Sequence, residues 1–325
     1  MKPPVFSPSR ETAVSALKGL AILGVVLHHI SNRRTDVEAS AWLHLLSMLS
    51  DWCVFAFFLV AGYLQALSDS RREKSFLEFA VVRARRLLVP FLLFILVYAV
   101  IWQFVQALGL HGIGDRVPRS FTLKVEHSLW PVMFPVAEQL YYFPLLFGVS
   151  LVVILARAIA GPVAVGVVAT AAFVLGIILF SSAFTGFQMA VFCWGCFYYG
   201  FGYTLFSVRE KTQTRRALVV ICTLILLATC GEFGVLKAIP LWLLAEASTL
   251  GLTRLPLLER LGEASGTIYA YHSPFIVQPL ALAVALLPGA PAQFVGALAA
   301  VALTAAICCA FYYFLKDTRA KVLLI

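Results

Sequence analysis

The stretch RETAVSALKGLAILGVVLHHI, residues 10–30, decides the class of fold. From Thr12 to Ile30 it is almost uninterrupted apolar sequence, close to the roughly 20 residues a helix needs to cross a bilayer. It is too long for the apolar stretch of a secretory leader. It also holds Lys18 and runs into His28, His29, Arg33 and Arg34 with no small-residue cleavage site. The segment reads as a first membrane helix. Lys18 and His29 stand eleven residues apart, which in a helix is about 20° beyond three full turns and roughly 16 Å of rise. Both therefore lie on one face, and ionisable groups inside lipid are costly enough to mark function by default.

Working outward from that helix, the rest of the chain repeats its character. Hydrophobic residues make up 61% of the 325 and charged residues only 13%, against about 45–50% and about 25% in soluble domains. A soluble globule of this size has no core large enough to hide that much apolar surface. Further spans are expected near 42–67, 87–108, 138–157, 162–183, 188–207, 216–231, 235–250, 266–288 and 291–315. The expectation is an all-α polytopic membrane protein of about ten transmembrane helices forming one domain over 1–325. With both termini inside, basic residues favour the inner segments by about three to one, which makes an N-in, C-in arrangement self-consistent.

The formal charge of +9 does not point to nucleic acid, because the charges lie in short clusters between apolar runs, as in cytoplasmic loops. Seven cysteines show no loop framework. Cys193-Trp-Gly-Cys196 has CxxC spacing but sits inside an apolar run, which favours two small buried side chains over a redox or metal site. No metal centre is expected.

The chemistry must then come from isolated polar groups. A cation such as Lys18 can hold a phosphate or carboxylate, and an imidazole such as His29 can take a proton from a hydroxyl near neutral pH. The plainer alternatives are a lysine that snorkels to the inner headgroups and a histidine at the outer interface. Spacing alone leaves both open.

Five motifs, in order, tip the balance. Lys18 to His29 fits a basic residue, ten residues, then His. Phe57-Phe58-Leu-Val-Ala-Gly62-Tyr63 follows on the second span, and Arg83-Ala-Arg-Arg86 with Leu-Leu-Val-Pro90 leads into the third. Leu140-Tyr-Tyr-Phe-Pro144-Leu and Ile268-Tyr-Ala-Tyr-His272-Ser-Pro274 complete the set. Together they resemble the acyltransferase-3 family of integral-membrane O-acyltransferases, in motifs from Arg10 to His272 and in topology to about Phe314. Two departures stand out: Ser15 where many members carry Asp, and Ala61 where the usual residue is Ser. The first removes a possible partner for Lys18; neither touches the Lys–His pair.

The resemblance implies acyl-CoA, usually acetyl-CoA, as a cytoplasmic co-substrate with no permanently bound cofactor. It also implies an acceptor hydroxyl on a surface carbohydrate or its lipid-linked precursor, and residence in the cytoplasmic membrane. It makes His29 the catalytic base or acyl carrier, with Lys18 guiding the donor. Arg83 and Arg86 would clasp the phosphates of coenzyme A, as guanidinium forks suit phosphate; positive-inside topology alone also accounts for them. Glu138 is the candidate partner of the imidazole or of a sugar, with structural pairing to a buried basic group as the competing reading. Tyr142 and His272 are candidate substrate-binding residues, and for His272 a satisfied core histidine is the competing reading. The loop 109–130, with His111, Asp115, Arg116, Arg119, Glu126 and His127, is the expected acceptor platform.

The sequence lacks a Walker loop, an HExxH helix and a Gly-x-Ser-x-Gly elbow. Acyl transfer is therefore expected from the membrane part itself. The rival reading is a transporter or flippase for a polar or acylated envelope precursor, which ten spans would suit equally well.

Overall fold

The computed structural model describes residues 8–31, 41–72, 75–107, 138–181, 187–230, 233–246, 255–273 and 276–318. Among them the secondary structure is entirely helical. The helices are α1 (Pro8–Ser31), α2 (Ala41–Ser50), α3 (Cys53–Arg71) and α4 (Phe76–Ala107). After a short 3₁₀ turn at Glu138–Tyr141 come α5 (Tyr142–Ser181), α6 (Phe187–Ser207), α7 (Thr212–Cys230) and α8 (Phe233–Glu246). The chain closes with α9 (Pro256–Glu263), α10 (Ser265–Tyr271), α11 (Val277–Ala285) and α12 (Ala290–Leu315). The expected loop 109–130 lies outside the described residues.

Among the described residues, five stretches are long and apolar enough to cross a bilayer: Thr12–Ser31, Trp42–Arg71, Tyr142–Ile178, Thr212–Cys230 and Ala290–Leu315. Their outward surface is apolar rather than charged, with Ile159, Val163, Val167 and Phe314 all strongly exposed. In water such a belt would be untenable; in lipid it is the ordinary solvated face.

Three breaks shape the bundle. Unbroken, the 40 residues of α5 would run about 60 Å, twice the hydrocarbon thickness. The helix breaks at Ala160 and at Gly161, whose φ of 75° suits only glycine cheaply, and Pro162 restarts it. This break falls at the expected junction between the spans 138–157 and 162–183. The expected single span 42–67 bends at Asp51–Trp52 into α2 and α3. The expected span 266–288 is likewise not one helix, because α10 ends at Tyr271 and α11 begins only at Val277.

Helix α4 starts eleven residues earlier than the apolar run at 87 suggests. The signal is Ser75-Phe-Leu-Glu78, a capping-box pattern, and the Ser75 hydroxyl accepts the Glu78 backbone N–H at 3.2 Å. Arg83 and Arg86 therefore stand on the first turns of a helix, not in a loop. That matters because a helix holds their spacing and direction.

The core centres on α1, which packs against α2, α3, α8, α9, α10, α11 and α12. The tightest approach is to α9: a Cβ on Gly262 would fall on the carbonyl of Ser15. Helix α6 lies between α3 and α5. There a Cβ on Gly62 would strike the carbonyl of Tyr199, so the glycine of the second motif is a packing requirement. Cys193 and Cys196 are buried and unbridged on α6.

Candidate active site

His29 occupies the last turn of α1. Its ring centroid lies 5.1 Å from that of His272, with the rings tilted by 46°. Helix α1 and the end of α10 thus bring together two residues 243 positions apart. The neighbouring His28 is differently engaged: its Nδ1 lies 3.1 Å from an Asp51 carboxylate oxygen and 3.3 Å from the Ser47 carbonyl. The first ring faces the α2–α3 bend and the second faces the bundle.

His272 is fully buried at the end of α10. Its Nδ1 lies 3.0 Å from the Ile268 carbonyl and 2.9 Å from the Tyr269 carbonyl. Carbonyl oxygens only accept, so Nδ1 carries the proton and Nε2 carries the lone pair. Nε2 is buried with no hydrogen-bond partner. The backbone here is held from two sides. Tyr98 of α4 directs its hydroxyl at the carbonyls of Ala270, 2.6 Å, and Ser273, 3.1 Å. The Val277 N–H donates to the His272 carbonyl at 2.8 Å.

From this pair of imidazoles an aromatic wall runs inward. Tyr269 lies 5.9 Å from His272 and 5.3 Å from Tyr142, centroid to centroid. Tyr142 in turn meets Phe58 at 4.9 Å and Phe57 at 6.1 Å. Residues from the second, fourth and fifth motifs therefore share one packed cluster. Tilted and edge-to-face ring pairs of this kind stabilise a cluster beyond the area they bury.

The other end of the wall is cationic. The Arg83 guanidinium lies close enough to exert its charge on the hydroxyls of both Tyr142 and Tyr199. Its Nε and Nη2 are buried without a hydrogen-bond acceptor, and the Tyr199 hydroxyl is buried without a partner as well. Lys18, a few turns below His29 on α1, feels Arg86 of α4 and Glu263 of α9. Two buried guanidinium nitrogens without an acceptor are an expensive arrangement unless something fills them.

Some of the expected residues are brought together. His29, Tyr142 and His272 are linked through the aromatic wall, while Arg83 acts by its charge on Tyr142 and Arg86 on Lys18. The side chain of Glu138 lies outside the described residues. Sequence reasoning missed a polar node on α3, where Asp69 is only 7% exposed and Arg157 of α5 only 19%. Arg157 Nη1 donates to Asp69 at 2.5 Å, Tyr203 of α6 donates to the same oxygen at 3.1 Å, and Gln65 donates to the other at 2.7 Å. An acid and a base, each at the end of an apolar run, were the available signal. Sequence reasoning also missed Tyr98 and Tyr199, since nothing separates a functional tyrosine from a packing one before the neighbours are known.

The model of the acyltransferase-3 family, described as an acyltransferase domain, matches residues 11–313. No curated protein and no solved structure gives a significant match. The family match covers nearly the whole chain; it begins with the first motif and ends where the resemblance in topology ends, near Phe314. The chain belongs to the acyltransferase-3 family; it is an acyltransferase and a multi-pass membrane protein.

Proposed function

We propose that this acyltransferase carries an acyl group, acetyl in the first instance, from cytoplasmic acyl-CoA to a hydroxyl of a surface glycan or its lipid-linked precursor. The enzyme would sit in the cytoplasmic membrane with ten spans and both termini inside. One observation carries the reading: a half-buried guanidinium, with Nε and Nη2 buried and unpartnered, acts by its charge on one end of an aromatic wall whose other end is a pair of imidazoles. An anionic donor and a hydroxyl acceptor need these two ends.

In this reading Arg83 and Arg86 clasp the coenzyme A phosphates, and Lys18 guides the polar part of the donor toward the outer half of the bundle. Tyr142 lines the path, and Glu138 is the candidate contact to the acceptor. His29 is the general base. The acceptor hydroxyl gives its proton to a His29 nitrogen while its oxygen forms the bond to the thioester carbonyl. Collapse of the tetrahedral species breaks the C–S bond, and the departing thiolate recovers the proton from the imidazolium. The products are an ester and free coenzyme A, with His29 restored.

The test uses inverted membrane vesicles holding the wild type or His29→Ala, supplied with acetyl-labelled acetyl-CoA. Label should reach the glycan or lipid fraction with the wild type and fall by about 10²-fold or more in the variant, the scale of a lost general base. Equal transfer by both removes His29 from the chemistry. A folded wild type that moves native acceptor across the membrane without consuming any acyl-CoA favours the transporter reading.

A further inference from the structure

The second imidazole has a job that the acyl-transfer scheme leaves undefined. We propose that His272 is a positioning residue that sets the tautomer and orientation of His29, by offering its Nε2 lone pair to a proton on the His29 ring. The inference rests on His29 acting as the base and deepens that reading.

The argument begins with proton accounting. A neutral histidine acting as base must keep one nitrogen bare toward its substrate, so its other nitrogen carries the proton and needs an acceptor. Carboxylates and carbonyls fill that role for many catalytic histidines. Here the group facing the His29 ring is another imidazole, 5.1 Å away between centroids. At that separation a modest rotation of either ring brings nitrogens within hydrogen-bond reach, and such bonds often tighten only with substrate present.

An imidazole serves as an acceptor only if its own proton is fixed elsewhere. That condition is met, because the carbonyls of Ile268 and Tyr269 both take the Nδ1 proton of His272. Moving that proton to Nε2 would forfeit both contacts. The Nε2 atom is buried and unpartnered, so its acceptor capacity is unused by the fold. The turn that carries it is held by Tyr98 and Val277, which fixes where the lone pair sits. The adjacent His28 ring lies 5.7 Å from that of His29 and edge-on to it, with its Nδ1 held by Asp51 and Ser47. A hydroxyl has one proton to give, so the two rings cannot both be its base.

Two variants and two readouts test this. Leu at 272 keeps the volume but neither accepts nor donates. Gln keeps an acceptor oxygen and an amide that can reach the backbone carbonyls. Normalised to folded protein, His272→Leu should lower kcat by about 10²–10⁴-fold. KM for acetyl-CoA should stay within about threefold, and His272→Gln should hold kcat within about tenfold of the wild type. The second readout needs no turnover: ¹⁵N NMR of histidine-labelled protein in nanodiscs, where six histidines are few enough to assign with His29→Gln and His272→Gln. The expected spectrum has His272 protonated at Nδ1 and His29 in a single neutral tautomer that becomes mixed in His272→Leu. Wild-type kcat in His272→Leu, equal losses in the Leu and Gln variants, or a His272 proton on Nε2 would each overturn the proposal. A wild type that transfers no acyl group refutes the proposed function instead, while the spectra still decide whether His272 orders the His29 ring.

Discussion

The Asp69 node tests how this bundle is braced, and its magnitude follows from the contacts. Asp69 of α3 accepts from Arg157 of α5, Tyr203 of α6 and Gln65 one turn before it, at 2.5, 3.1 and 2.7 Å. Replacing it with Asn keeps the shape and one oxygen acceptor but removes the charge opposite Arg157. Breaking a buried pair typically costs about 3–5 kcal/mol, mostly because the surviving ion loses its compensation. With Arg157 still 19% exposed, the lower end applies, and we expect about 3 kcal/mol for Asp69→Asn. The double replacement Asp69→Leu with Arg157→Met removes both charges together and should recover most of that loss, since swapping a whole buried pair for apolar groups is often neutral. Equilibrium unfolding in mixed detergent–SDS micelles would measure all three proteins. An Asp69→Asn variant as stable as the wild type would refute the reasoning. So would a double variant no better than the single, because the penalty would then not be an orphaned charge.

Two further outcomes follow from the packing and the cationic end of the wall. Gly62→Ala puts a methyl onto the Tyr199 carbonyl, and either the α3–α6 contact opens or the protein misfolds; a loss of about 1–3 kcal/mol in the same unfolding measurement is expected. Arg83→Gln removes the guanidinium whose Nε and Nη2 are buried without an acceptor, and should raise KM for acetyl-CoA about ten- to a hundredfold, on the scale of a charged hydrogen bond, with kcat less affected.

Much of this protein was legible before any neighbour was known. The apolar runs and their basic flanks declare a helical membrane protein, because lipid leaves a backbone few ways to satisfy its hydrogen bonds and helices do so locally. The face shared by Lys18 and His29 follows from the pitch of a single helix. The five motifs carry the family, and the match over residues 11–313 agrees with them. Ser75-Phe-Leu-Glu78 is equally local, and its capping pattern marks the start of α4 ahead of the apolar run.

What tertiary structure alone decided is which distant residues meet. His29 and His272 belong to helices far apart in sequence, and no periodicity in either one announces the 5.1 Å between their rings. Gly62 reads as a motif letter until the Tyr199 carbonyl is seen where its Cβ would stand. Asp69 and Arg157 look like two loop-side charges until α3 and α5 close on α6 and make them a buried pair. Helix formation rests on hydrogen bonds within a few residues, so sequence predicts it well. Partner choice rests on close packing between separate helices, where side-chain shape across the interface decides, and that information appears only when the bundle is assembled.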